Sequence, residues 1–239
     1  MAQFDLKKAT IYLEDGYSEA GAVNNGGGYS TGALTMTVDA ISGQVPVGTT
    51  FTTTGDDQIY TISATSQTLG NTTSITFSPG LVVAVIDDQV FTIAGIRLEL
   101  KIGEGNLTYD EKRTMEYKRD RGRLDTVREG DEEPIDVRLD VQWEWLSHAA
   151  GDPYPTPEEF LKKEGLASSY TSSSDDPCEP YAINIIVIYD PDCSGVDAEV
   201  ITLSDYRWES LNHDLKAGTL STSGKCNVTR ATKERRDLV

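Results

Sequence analysis

From Ile135 to Trp145 apolar and polar residues alternate without a break. Ile135, Val137, Leu139, Val141, Trp143 and Trp145 fall on one side, and Asp136, Arg138, Asp140, Gln142 and Glu144 on the other. A period of two places these sets on opposite faces of one strand and leaves no room for a helix. Ile96–Ile102 repeats the pattern, with Ile96, Leu98, Leu100 and Ile102 against Arg97, Glu99 and Lys101. Ala9–Glu14, Tyr181–Tyr189, Glu199–Leu203 and Thr219–Val228 read as further strands, Tyr206–Leu215 as a strand with a bulge or turn, and Lys233–Val239 as a loose tail. One segment carries helix punctuation. Thr156 caps, Pro157 fits the first turn, Glu158 and Glu159 sit early, Lys162 and Lys163 late, and Gly165 stops it.

A second texture occupies Gly32–Gly95, which contains no Lys or Arg and is rich in Thr, Val, Ser and Gly. Short strand-like runs recur there: Ala33–Ala40, Thr49–Thr54, Gln58–Ala64, Thr73–Phe77 and Gln89–Ile93. Turn signals at Ser42-Gly43, Gly55-Asp56, Gly70-Asn71 and Ser78-Pro79-Gly80 separate them. Strands at this spacing predict a small antiparallel barrel or sandwich. The expected fold class is therefore mainly β: an antiparallel β sandwich or barrel with one short packed helix, made of residues 1–29 and 96–239, plus an inserted all-β module at 30–95.

Charge changes the picture. The 239-residue chain carries 21 Lys+Arg against 39 Asp+Glu, a net charge of −18. That balance argues against tight binding to nucleic-acid phosphates, which is dominated by cation contacts. Yet Asp110–Glu133, DEKRTMEYKRDRGRLDTVREGDEE, concentrates Lys112, Arg113, Lys118, Arg119, Arg121, Arg123 and Arg128 among nine acids. A mixed-charge island suits a surface that docks onto copies of itself, with charge pairing setting the register. No apolar run is long enough for a membrane span, and Met1–Thr10 lacks the apolar core of a signal peptide. A cytoplasmic site of synthesis and assembly is the expectation.

Catalytic and metal chemistry find little support. No P-loop, GxSxG or HExxH sequence occurs. Asp56-Asp57 and Asp87-Asp88 lack EF-hand spacing and read as exposed turn acids, while Asp136 and Asp140 flank Arg138, where ion pairing is the ordinary role. Cys178, Cys193 and Cys226 form no CxxC pair, and with only His148 and His213 a tetrahedral zinc site is not expected. Cys178 and Cys193 bracket a strand-like run too long to let them pair with each other. Reduced thiols, pairing with Cys226, or a disulfide between subunits remain as alternatives.

The run GEGNLTYDEKRTMEYKRDRGRLDTVREGDEEPIDVRLDVQWEW from Gly103, together with DPCEPYAINIIVIYD and the closing ITLSDYRWESLNHDLKAGTLSTSGKCNVT, resembles the tail tube (major tail) proteins of tailed bacteriophages and prophages. These runs cover most of the sequence outside the insertion; Gly32–Gly95 departs from the shorter members. The resemblance implies homohexameric rings whose sheets join around a channel. It also implies stacking of rings into a tube in the virion tail, and passage of genomic DNA without specific binding. Its implied partners are further copies of the chain and other tail proteins: a sheath if the tail contracts, a baseplate or tip, and a terminator. It implies no enzymatic activity, no cofactor and no membrane contact.

Matched by position, Asp110–Glu133 becomes the loop that reaches the adjacent ring, with Arg113, Lys118, Arg119, Arg121, Arg123, Arg128 and Glu129 as contact candidates. Asp136, Asp140 and Glu144 become candidates for the lumen wall, where carboxylates repel phosphate. Two other readings stand beside this one. A tube of a phage-derived injection or secretion machine would pass protein instead of DNA. A monomeric β-rich module would bind glycans through Tyr206, Trp208 and nearby acids.

Overall fold

The computed structural model describes residues 9–41, 45–56, 58–68, 71–100, 106–121, 123–142, 155–189 and 198–236. The chain is mainly β, with one short α-helix. The first strands in order are β1 (Ala9–Glu14), β2 (Glu19–Val23), β3 (Thr35–Asp39), β4 (Thr49–Thr53), β5 (Tyr60–Thr68), β6 (Asn71–Ser78) and β7 (Val90–Leu100). Then come β8 (Leu107–Asp110), β9 (Met115–Asp120), β10 (Arg123–Glu129) and β11 (Ile135–Gln142). The helix α1 (Pro157–Lys162) precedes β12 (Ile183–Tyr189), β13 (Ala198–Asp214), β14 (Thr219–Cys226) and β15 (Thr232–Arg236).

Strands β2 to β7 close on themselves. The order β2-β3-β6-β5-β4-β7 is completed by pairing of β7 back to β2, all antiparallel. Closure removes the sheet edges that an isolated module of this size would expose. Inside, Phe51 stacks on Tyr60 at 5.0 Å between ring centroids and meets Phe77 edge-on at 5.0 Å and Phe91 at 5.6 Å. Met36, Val38, Ile62, Ile75 and Ile93 fill the remaining space.

This barrel corrects the expected boundary. β2 lies in the stretch assigned to the larger part, yet Val23 is in the barrel core and Gly21 pairs with Phe91. The separate runs Gln89–Ile93 and Ile96–Ile102 meet in one strand, β7 (Val90–Leu100), whose first half belongs to the barrel and whose second half pairs with β1; Lys101 and Ile102 lie outside the described residues. A strand long enough to serve two cores has its alternation broken where it crosses between them, at Gly95-Ile96, and so reads as two.

The larger sheet continues from β7 as β1-β12-β13-β14-β11-β8, with β15 alongside the start of β13. Its apolar face carries Ile11, Leu13, Ile135, Val137, Leu139, Val141, Ile183, Ile185, Leu203 and Leu220, and Phe160 and Leu161 of α1 pack into the same core. Thr156 and Glu159 form a reciprocal capping box at the start of α1. The helix ends at Lys163, which takes the left-handed conformation (φ 57°), two residues before the expected stop at Gly165.

β13 runs unbroken through both segments read from the sequence, with a register shift between Trp208 and Ser210. The tail is ordered further than expected, since Thr232–Arg236 pairs with Ala198–Thr202. Trp143, Glu144, Trp145 and Cys193 lie outside the described residues.

Candidate functional site

The mixed-charge segment was expected as a loop. Its core is instead a two-stranded antiparallel hairpin, β9–β10, which pairs with no other strand among the described residues. Arg121 turns the tip at φ 46°. Thr114 and Gly130 close the base through a backbone hydrogen bond of 2.9 Å. Residues directly opposite in an antiparallel pair share a face. The register pairs Met115 with Glu129, Tyr117 with Val127 and Arg119 with Leu124 on one face, and Glu116 with Arg128 and Lys118 with Thr126 on the other.

One face of the hairpin is therefore apolar at its centre. Tyr117, Leu124 and Val127 are 60%, 65% and 55% exposed. Reasoning from charge alone missed this face; the alternation Met115, Tyr117 ahead of Arg121 was its sequence signal. Hydrophobic side chains at such exposure, on a hairpin with no third strand among the described residues, are unusual for a surface in contact with water alone.

The candidate cations divide into two sets. Arg113 donates to Glu129 (Nε to Oε1, 2.7 Å) at the hairpin base, with both side chains more than half exposed. That contact holds the Glu129 carboxyl below the usual carboxylate range. Lys118, Arg119, Arg121 and Arg128 have no ion-pair partner among the described residues. Of Arg123 only the backbone is placed, as the first residue of β10.

Below the hairpin, β11, β14 and the second half of β13 present a polar exposed face. Cross-strand rows on it run Asp136–Lys225–Arg207, Arg138–Ser223–Ser210, Asp140–Ser221–Asn212 and Gln142–Thr219–Asp214. Asp136 is not a free carboxylate there. Lys112 donates to it and, with that hydrogen bond as the main cause, holds its carboxyl below the usual range. Asp140 is exposed. The face thus mixes carboxylates with Arg138 and Lys225, and is less acidic than the carboxylates of β11 alone suggested.

The cysteine alternatives narrow. Cys226 is fully buried in the larger core, and burial pushes its thiol up to about 12. A side chain enclosed on the apolar face cannot reach a neighbouring subunit, so Cys226 leaves the set of disulfide candidates. Cys178 is exposed and free. Tyr206 is likewise withdrawn from any surface role: it is buried, and its hydroxyl shares a 2.8 Å hydrogen bond with the Thr222 hydroxyl.

A separate concavity, which nothing in the sequence signalled, lies where the barrel meets the larger sheet. The notch has a volume of about 600 Å³. Thr50 and Thr61, register partners on β4 and β5, form its barrel wall, with Gln58 and Ile59 beside them. Thr10 and Tyr12 of β1, Arg97 and Glu99 of β7, and Ile188 of β12 form the opposite wall. Tyr12 stands opposite Glu99, and Thr10 opposite Ile188. Arg97 donates to Glu14 (Nε to Oε2, 2.5 Å) in a largely buried ion pair. Burial, followed by the charge of Glu99, pushes the Tyr12 phenol above its ordinary value.

Thr50 is 3% exposed and its hydroxyl has no hydrogen-bond partner. A buried orphan of this kind costs about 1–3 kcal/mol. Among the described residues no group of His, Cys, Asp and Glu is arranged to hold a metal ion, and no helix is long and apolar enough to cross a membrane. No protein-family model matches this chain, and no curated protein and no solved structure was found to be similar to it.

Proposed function

We propose that this protein is a structural subunit that assembles with copies of itself into a hollow tube, in the manner of a phage tail tube protein. Copies would close into hexameric rings, and the β9–β10 hairpin of one ring would dock on the next. The polar face of β11, β14 and β13 would line a channel past which DNA slides during ejection. The observation that carries the reading is the hairpin itself. It stands between β8 and β11 in the chain, pairs with no other strand among the described residues, and combines an exposed apolar face with cations that have no ion-pair partner there.

Three further features support it. The last strand of the larger sheet, β8, has β11 as its one neighbour among the described residues, and an open edge is a ready template for another chain. Apart from the hairpin segment the molecule is strongly acidic, so the unpaired cations find their complement on any second copy. The exposed face of the larger sheet carries hydroxyls and amides, which hold water, and two of its charges, Asp136 and Arg207, are engaged in ion pairs with Lys112 and Glu179.

Electron microscopy and sedimentation of the purified protein test the proposal. The wild type is expected to form rings and tubes, and a chain with Arg119, Arg121 and Arg123 replaced by Glu is expected to stay folded while losing the stacked form. A wild-type protein that remains monomeric at high concentration across several salts overturns the proposal. Tubes of normal length from the triple variant remove the hairpin from the stacking contact.

A further inference from the structure

We propose that the notch between the barrel and the larger sheet is a binding site for a neutral oligosaccharide. This inference does not depend on the assembly reading, because it rests on a different surface.

The argument starts from unused polar groups. Thr10, Tyr12, Thr50 and Thr61 all line the notch, and none of their hydroxyls makes a hydrogen bond within the described chain; that of Thr50 is closed off from solvent in its present rotamer. Glu99 lines the same wall and has no ion-pair or hydrogen-bond partner there either. The placement is enforced by the two sheets. Phe51 and Tyr60 point into the barrel core, so their neighbours Thr50 and Thr61 point out of it. Ile11 and Leu13 point into the larger core, so Thr10 and Tyr12 point away from it and toward the barrel.

The ligand class follows from what these groups need. An apolar ligand would leave a carboxylate and four hydroxyls dry, which is unfavourable. An anion would meet Glu99, and among the described lining residues the one cation, Arg97, is already engaged by Glu14. A neutral ligand rich in hydroxyls both donates and accepts. It gives protons to the Glu99 carboxylate, exchanges hydrogen bonds with the threonines and Tyr12, and lays its C–H face on the Tyr12 ring and on Ile59 and Ile188. A turn about χ1 of Thr50 brings its orphan hydroxyl to the same ligand. The volume of about 600 Å³ lies within the roughly 300–1,000 Å³ of ordinary ligand sites.

The test uses the full chain. Maltotriose, cellotriose and tri-N-acetylchitotriose serve as neutral probes, trigalacturonate as an acidic one, and a neutral tetrapeptide as a non-sugar control. Each is titrated and followed by ligand-observed NMR. At least one neutral trisaccharide is expected to bind, with both Glu99→Gln and Thr61→Val weakening it about tenfold or more at an unchanged unfolding midpoint. Thr61 is exposed, so its replacement by the isosteric valine leaves folding undisturbed and reads the site alone. Failure of every neutral sugar to saturate below about 10 mM overturns the proposal. So does binding that both variants leave intact, or a preference for trigalacturonate or the peptide.

Discussion

At Asp15 three segments distant in sequence meet one carboxyl group. The residue is 2% exposed. Its Oδ1 accepts from the backbone N–H of Ile96 (2.7 Å) and of Tyr17 (3.4 Å), and its Oδ2 from that of Thr171 (3.1 Å). These bonds tie the β1–β2 corner to the crossing point of β7 and to the loop after α1. Desolvation outweighs the three donors and raises the carboxyl above its ordinary value. A group whose folded pKa is raised contributes stability that is complete below its unfolded value and is lost as pH rises through the folded one. Urea unfolding of wild type and Asp15→Asn should therefore show their stability difference moving against the wild type as pH climbs above about 4. A difference independent of pH would show that Asp15 is not perturbed. Gly95 is the companion constraint: a Cβ there would lie 2.1 Å from the Asp15 carbonyl oxygen and 2.6 Å from its Oδ1. Gly95→Ala should cost about 1–3 kcal/mol of stability, measured by the same unfolding curves. Cys226 offers a third check. Buried and held protonated, it should resist iodoacetamide in the folded protein while Cys178 is alkylated, and react only after unfolding, as read by peptide mass spectrometry.

Among the elements, the hairpin is the one whose sequence pattern misled most. Charged residues at Glu116, Lys118, Arg119 and Asp120 hide the alternation of Met115 and Tyr117, so Asp110–Glu133 reads as a docking loop rather than as paired strands. Tertiary context explains the strand pairing only in part, because no other strand among the described residues pairs with the hairpin and Tyr117, Leu124 and Val127 are exposed. A two-stranded sheet without a third strand or a cover is marginal in water. Excising Met115–Glu129 and joining the ends with a short turn should then change folding stability by no more than about 1 kcal/mol, while abolishing tube formation in electron micrographs. A large loss of stability would mean that the hairpin serves the fold. In contrast, α1 was legible almost to the residue, because capping chemistry is local: Thr156, Pro157 and Glu159 act on atoms within one turn. β11 was legible for the same kind of reason, since its alternation is set by the two environments of one sheet.

On the scale of the whole molecule, two cores share one strand. The barrel has its own buried aromatics and a closed strand order, which argue that it folds without the larger sheet. Residues 17–95 expressed alone should keep a dispersed NMR spectrum and a cooperative thermal transition. A molten or aggregated fragment would show that the continuous β7 and the Asp15 contacts are required by both cores. The larger sheet differs, because among the described residues nothing pairs with the outer edge of β8, and its polar face is exposed there. That asymmetry, one closed unit and one with unused surfaces, is what makes assembly through the larger unit the physically economical reading.

Local chemistry was therefore readable from residue order. The mainly β character, the helix with its caps, the two-faced strand at Ile135–Gln142 and the cation-free module all follow from periodicity, turn residues and charge, which act over a few residues. Everything that depends on which strand lies beside which was decided only by the tertiary structure. β2 joins the barrel because its partners are Phe91 and Val38, far along the chain. Asp136 loses its free charge because Lys112 reaches across from the base of the hairpin. Cys226 loses its surface role because β14 turns it inward. The notch exists because two sheets, each explicable alone, meet with their hydroxyl-bearing outer faces together. Pairing between distant strands is governed by burial and backbone hydrogen bonding across the whole molecule, and no window of sequence contains it.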